Sequence, residues 1–303
     1  MSNIPVERHY TCPWCNTVSD GTQLSCPGCG VSVDVEKIVT KSGWIEMPGR
    51  KDMTKIQLGH SSLQIEGEYV PMADFNLAQG DGVYFSHHVL LWMDTQVKVS
   101  AMSLKGAWNR LFAGLPLIMA QAEGPGHIAF TRDAPGELIA LPIQPGQAVD
   151  VREHIFLVAT HSVSYDWFQT DVWFTTREDN SSKTHYPVGM YMDRFFAQQA
   201  PGLLLLHAAG NAFIRHLAPG QSILVKPTAL LFKDPTVQIH LHLEYPRGGS
   251  GSSWGLFSSS WRSRHLWLKL YGPGRVAIHS AYDPAGDDGR VIWRHSDATQ
   301  QEW

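Results

Sequence analysis

No apolar run in the sequence is long enough to cross a bilayer. The longest, Leu111 to Ala122, is interrupted by Gly114 and Pro116, whereas a spanning helix needs about 20 apolar residues. The amino terminus, Met-Ser-Asn-Ile-Pro-Val-Glu-Arg-His, does not place a charged segment ahead of an apolar one. No signal peptide is therefore expected, and the expected location is cytoplasmic. Charge of one sign is also missing: 24 Lys and Arg stand against 28 Asp and Glu, a net charge of -4. The basic residues are scattered, so there is no electrostatic drive toward nucleic acid or anionic lipid. Walker loops, Rossmann glycine patterns and paired-acid constellations are absent as well.

What is present suggests strands and turns. The 303 residues include 27 Gly and 18 Pro, and 43% are hydrophobic. The apolar runs are short and broken by Pro-Gly and Gly-Pro steps, which predicts an all-β chain. Its length allows one sizeable core, or two or three small ones sharing a wall.

All four cysteines fall in the first 30 residues, as Cys12-Pro-Trp-Cys15 and Cys26-Pro-Gly-Cys29. Two C-x-x-C pairs bring four thiolates within tetrahedral reach of one Zn2+, and Gly28 and Gly30 permit the tight turns around them. The prediction is a closed, structural zinc ribbon over residues 1–35, with no open position for catalysis. Disulfides or a redox site would need a secretory or thioredoxin-like context that is missing. Over positions 1–57 six acidic residues balance six basic ones, which argues against a DNA-reading ribbon and for protein docking. Residues 36–57 read as a linker with one short strand.

From residue 58 onward one block occurs three times without a gap: Leu77–Val97, Ile143–Val163 and Leu217–Val237. Gly80, Gly146 and Gly220 coincide. Val83, Val149 and Ile223 coincide, as do Phe85, Val151 and Val225 two residues on, giving the period of a half-buried strand. Polar pairs follow (Ser86-His87, Arg152-Glu153, Lys226-Pro227) and predict a reversal of the chain. Then come the apolar runs Val89–Trp92, Ile155–Val158 and Ala229–Phe232, expected to be strands covered on both faces. Gly124-Pro125-Gly126, Pro201-Gly202 and Gly272-Pro273-Gly274 each precede a further apolar run and predict type II turns.

The expected body therefore spans 58–282 as three β-sandwich units (about 58–132, 133–208 and 209–282) around a pseudo-threefold axis, with a polar tail at 283–303. Between these signals lie aromatic inserts: Trp108 and Phe112, then Trp167, Phe168, Phe195 and Phe196, then Trp254, Phe257 and Trp261. Loops that keep such rings are candidate interfaces, and packing of the rings onto their own core is the competing reading.

The Leu-x-x-Gly step, Trp92-Met93-Asp94 and the Gly-Pro-Gly strand starts resemble the altered inheritance of mitochondria protein twenty-four family over residues 60–282. The resemblance implies three repeats of the double-stranded β-helix type, similar to the tryptophan RNA-binding attenuation protein, and a tendency to form homo-oligomers. It supplies no catalytic residues, and its mitochondrial member supports inner-membrane organisation.

Two constellations bear on catalysis. His240, His242 and Glu244 alternate onto one strand face, but the glutamate follows the second His too closely for the cupin metal pattern. Gly251-Ser-Ser-Trp-Gly255 satisfies G-x-S-x-G without the strand and helix the nucleophile elbow requires. His87-His88 reads as an exposed pair. The sequence thus predicts a soluble, non-enzymatic scaffold or adaptor that self-associates and meets a protein partner or membrane surface. A metal-dependent enzyme on the His240 face is the alternative. RNA or small-ligand binding is a further one, which the acidic net charge disfavours.

Overall fold

Period-2 apolar patterning gives antiparallel strands almost throughout. The computed structural model describes residues 10–11, 17–19, 43–47, 54–67, 69–102, 119–178, 181–244 and 266–281, and among these there is no α-helix. The four cysteines, the tail from 283, Trp108, Phe112, Trp254, Phe257, Trp261 and the Gly251–Gly255 motif lie outside the described residues.

Strand β1 (Tyr10–Thr11) pairs with β2 (Val18–Ser19), and β3 (Ile45–Met47) follows. Next are β4 (Thr54–Leu58), β5 (Ser61–Glu66), β6 (Met72–Leu77), β7 (Gly82–Ser86), β8 (Leu90–Met93), β9 (Lys98–Ala101), β10 (Met119–Glu123) and β11 (Gly126–Thr131). The middle of the chain forms β12 (Glu137–Ile143), β13 (Ala148–Arg152), β14 (Phe156–Thr160), β15 (Val163–Gln169), the hairpin β16 (Phe174–Glu178) and β17 (Ser181–His185), then β18 (Tyr191–Ala197) and β19 (Gly202–Ala208). The last strands are β20 (Ala212–Leu217), β21 (Ser222–Val225), β22 (Leu230–Lys233), β23 (Gln238–Leu243), β24 (Leu266–Tyr271) and β25 (Gly274–His279).

One pairing pattern governs the strands of 72–131, 137–208 and 212–279. β11 lies between β6 and β8, β19 between β12 and β14, and β25 between β20 and β22. Likewise β10 lies between β7 and β9, β18 between β13 and β15, and β24 between β21 and β23. The polar turn after β7, β13 or β21, where the sequence predicted a reversal of the chain, delivers it to a different sheet.

Two seams join these groups. β14 pairs with β7, making the six-stranded sheet β12-β19-β14-β7-β10-β9, and β22 pairs with β13, making the seven-stranded sheet β15-β18-β13-β22-β25-β20-β3. A five-stranded sheet (β4-β5-β6-β11-β8) and a three-stranded one (β21-β24-β23) stand outside them.

The sheets stack through three apolar layers. Phe75, Ile128 and Phe130 of the five-stranded sheet pack with Leu138, Leu203 and Leu205 of the six-stranded one. The other face of that sheet, with Ile139, Leu204 and Leu206, packs with Val149, Val151, Phe195 and Phe232 of the seven-stranded sheet. Leu230 and Val276 on the far side meet Val225, Leu268 and Leu270 of the three-stranded sheet. The run Leu203–Leu206 thus sends successive side chains into opposite layers, each leucine contributing about 1.5–3 kcal/mol on burial.

Gly80, Gly146 and Gly220 have φ of 85°, 82° and 79°. Each sits in a turn closed from the amide after it to the carbonyl of Ala78, Gln144 or Ala218, at 3.1, 2.9 and 3.0 Å. These are the type II turns. The later Gly-Pro-Gly steps are not: Gly126 and Gly274 have φ of 133° and 139°, and Gly124–Pro125 and Gly272–Pro273 are cis peptides. Close approach explains the glycine there, because a Cβ on Gly124 or Gly272 would lie 2.5 Å from the carbonyl oxygen of Ala78 or Ala218.

A further expectation is met on two strands and corrected on one. Leu157, Val158 and Ala159 on β14 and Leu230, Leu231 and Phe232 on β22 are buried, as strands covered on both faces must be. On β8, Leu91, Trp92 and Met93 are 52%, 40% and 43% exposed. β14 and β22 each have a neighbour across a seam, whereas among the described residues β8 has β11 on one edge and no strand on the other.

Candidate interaction surface

Four adjacent strands of the seven-stranded sheet set one row of charge. Register places Asp166 opposite Arg194, Arg194 opposite Asp150, and Asp150 opposite Lys233, from β15 through β18 and β13 to β22. The signs alternate along the row. Asp150 is fully buried: Arg194 donates to it from Nε at 2.6 Å and Nη2 at 3.1 Å, and Lys233 donates from Nζ at 2.8 Å. The hydrogen bonds that Arg194 donates to Asp150 chiefly, and the charges of Asp150 and Asp166 with them, hold its guanidinium above its already high ordinary range, against the effect of burial. Because Asp150 and Lys233 come from the two strands that meet at a seam, their ion pair joins the strand groups on either side.

Side chains two apart on a strand share a face, so Phe168 and Phe196 flank this row. The Arg194 guanidinium lies 4.6 Å from the centre of the Phe168 ring, a cation–π contact worth about 0.5–1 kcal/mol where partly exposed. Phe196 borders an open depression of about 540 Å³ with Gln147, Asp166, Arg194 and Gln198. On the opposite face Trp167 packs edge-on against Tyr191 with ring centres 5.1 Å apart, and the Tyr165 hydroxyl donates to Asp193 at 2.7 Å. Tyr84 is buried nearby, and its hydroxyl has no partner among the described residues. Burial first, and Asp193 second, raise its pKa well above the ordinary tyrosine value.

Of the expected interface residues, Trp167, Phe168 and Phe196 are half-buried, but on strands β15 and β18 rather than in loops. Phe195 is corrected outright. It is fully buried against Phe156 and Tyr165, because strand alternation turns it to the face opposite Arg194. The sequence reading missed Trp173, which is 53% exposed, and the whole charge row. Asp150 and Lys233 are 83 positions apart, and only strand register brings them together.

His240 and His242 lie exposed on β23. Among the described residues no group of three His, Cys, Asp or Glu is close enough to hold a metal ion, and Glu244 instead accepts from the Trp267 indole at 3.4 Å. His87 and His88 are exposed as expected, and His88 Nε2 lies 2.9 Å from Arg132 Nη1. His207 is nearly buried, with Nε2 3.2 Å from the Ala134 carbonyl. Burial first, and Arg132 next, bring its pKa down to about 4.

The fold defines an all-β protein of stacked antiparallel sheets. Residues 63–281 match the family described as Mitochondrial biogenesis AIM24, and the chain belongs to that family. A crystal structure of the Streptococcus pyogenes protein SPYM3_0169 is similar in fold, with a TM-score of 0.54 and 17% identity, covering 73% of this chain and 94% of that one. A search of the curated proteins gives no match. Among the described residues no helix is long and apolar enough to cross a membrane.

Proposed function

We propose that this protein is a non-enzymatic, self-associating scaffold or adaptor that engages a protein partner. The observation that carries the adaptor reading is the Phe168–Arg194–Phe196 surface, where two half-buried rings flank an arginine beside an open depression. Aromatic rings next to arginine are what interface centres are enriched in. The net charge of -4 favours a protein over an anionic membrane as the occupant. The body is read as three copies of one unit of four to six strands about a pseudo-threefold axis, a reading supported by the shared turns at Gly80, Gly146 and Gly220. The expected location is cytoplasmic.

Replacing both Phe168 and Phe196 with Asp tests the surface. A protein retained by the wild type from its own cytosol should be lost from the variant while the thermal transition is kept. Equal retention, or sedimentation of the wild type with anionic vesicles and no protein partner, sinks the reading.

The amino-terminal module is proposed to bind one structural Zn2+ through Cys12, Cys15, Cys26 and Cys29. Metal analysis of protein purified without added zinc should find about one equivalent. Less than about half, with oxidised thiols, argues for disulfides instead.

A further inference from the structure

We propose that β8 of one copy pairs with β21 of a second copy, repeating between chains the seam that occurs twice within one. This deepens the self-association reading and rests on it.

Within the chain, the strand after each polar turn pairs with the strand before the preceding such turn. Phe85 of β7 faces Val158 of β14, and Tyr84 faces Ala159. Val151 of β13 faces Phe232 of β22, and Asp150 faces Lys233. Phe85, Val151 and Val225 are equivalent in the gapless blocks, and so are Trp92, Val158 and Phe232. The same rule therefore sets Val225 opposite Trp92, and Leu224 opposite Met93.

These strands are the ones left over. Among the described residues, β8 ends the five-stranded sheet and β21 ends the three-stranded sheet, with no strand beyond either. Both edges are uncharged and, Ser222 apart, apolar: Leu-Leu-Trp-Met and Ser-Ile-Leu-Val. Exposed edges are ordinarily blunted by lysine, proline or a bulge. Neither strand holds a lysine or proline, and the bulge of β8 at Leu91 recurs at Leu157 of β14 and Leu231 of β22, where it does not prevent the seam. Here Leu91, Trp92, Met93 and Leu224 are 40% to 52% exposed, while Val158, Ala159 and Phe232 at the internal seams are fully buried. Pairing would join the two end sheets into one eight-stranded sheet and cover those side chains. Because the two edges differ, the contact is head-to-tail and builds a ring or an open filament.

The test uses the full chain. Met93→Cys and Leu224→Cys proteins, mixed and mildly oxidised, should give a disulfide between positions 93 and 224 of different chains, located by peptide mass mapping, and neither alone should give it. By light scattering, Met93→Lys should weaken assembly at least tenfold, and adding Leu224→Glu should restore it. Met93 is exposed, so the substitution leaves folding intact, and an unchanged thermal transition in dilute solution checks it. Assembly that persists in Met93→Lys, with no 93–224 link in the mixture, overturns the edge pairing and leaves self-association standing. A monomeric Met93→Cys/Leu224→Cys double variant linked within one chain overturns it in favour of intrachain closure. A clean monomer with no link overturns both.

Discussion

Asp150 carries more structural consequence than any other charged residue described. It sits at 0% exposure between Arg194 and Lys233, and breaking a buried pair leaves an uncompensated charge that costs about 3–5 kcal/mol. Asp150→Asn should therefore destabilise by about 3 kcal/mol in urea unfolding. Asp150→Leu with Lys233→Met should cost clearly less than the two single changes summed, because neither charge is stranded. His207 makes a second prediction. Its folded pKa is about 4, below the ordinary 6.5, so the folded state refuses a proton that the unfolded state accepts. Its contribution is whole above pH 6.5 and is lost as pH falls toward 4, by about 3 kcal/mol at most. His279, His216 and His88 are shifted the same way. Unfolding free energy measured between pH 7 and pH 4 should fall, and His207→Gln should flatten the fall.

The strand elements separate two uses of glycine that look alike in sequence. Gly220 needs a positive φ but has open space around a Cβ, whereas a Cβ on Gly272 would meet the Ala218 carbonyl oxygen at 2.5 Å. Gly220→Ala should cost about 1 kcal/mol of conformational strain, and Gly272→Ala clearly more, because backbone must move; thermal unfolding of both variants compares them. The glycine positions and the strands inside the repeated blocks were legible from the threefold agreement of the blocks. The cis geometry and the close approach were not, since a Gly-Pro-Gly step fits several turns. The residues of β15 and β18 were expected in loops, and which face each side chain takes on those strands depended on the neighbouring sheet. That is why Phe195 was expected at a surface and is buried.

For the whole molecule, β8 and β21 are apolar edges with no neighbouring strand beyond them among the described residues, and assembly through them would make stability depend on concentration. The melting temperature of the wild type should rise with protein concentration and that of Met93→Lys should not, since a partner that binds only the folded state stabilises it by mass action. The all-β class, the strands of the repeated blocks, the coincident glycines and the family were determined by the sequence alone, because period-2 apolarity and glycine placement are local properties of the chain. Which strands share a sheet, the Asp166–Arg194–Asp150–Lys233 row and the edges left without a partner were decided only by the tertiary structure. Those depend on register between segments tens of residues apart, and nothing local to either segment encodes it.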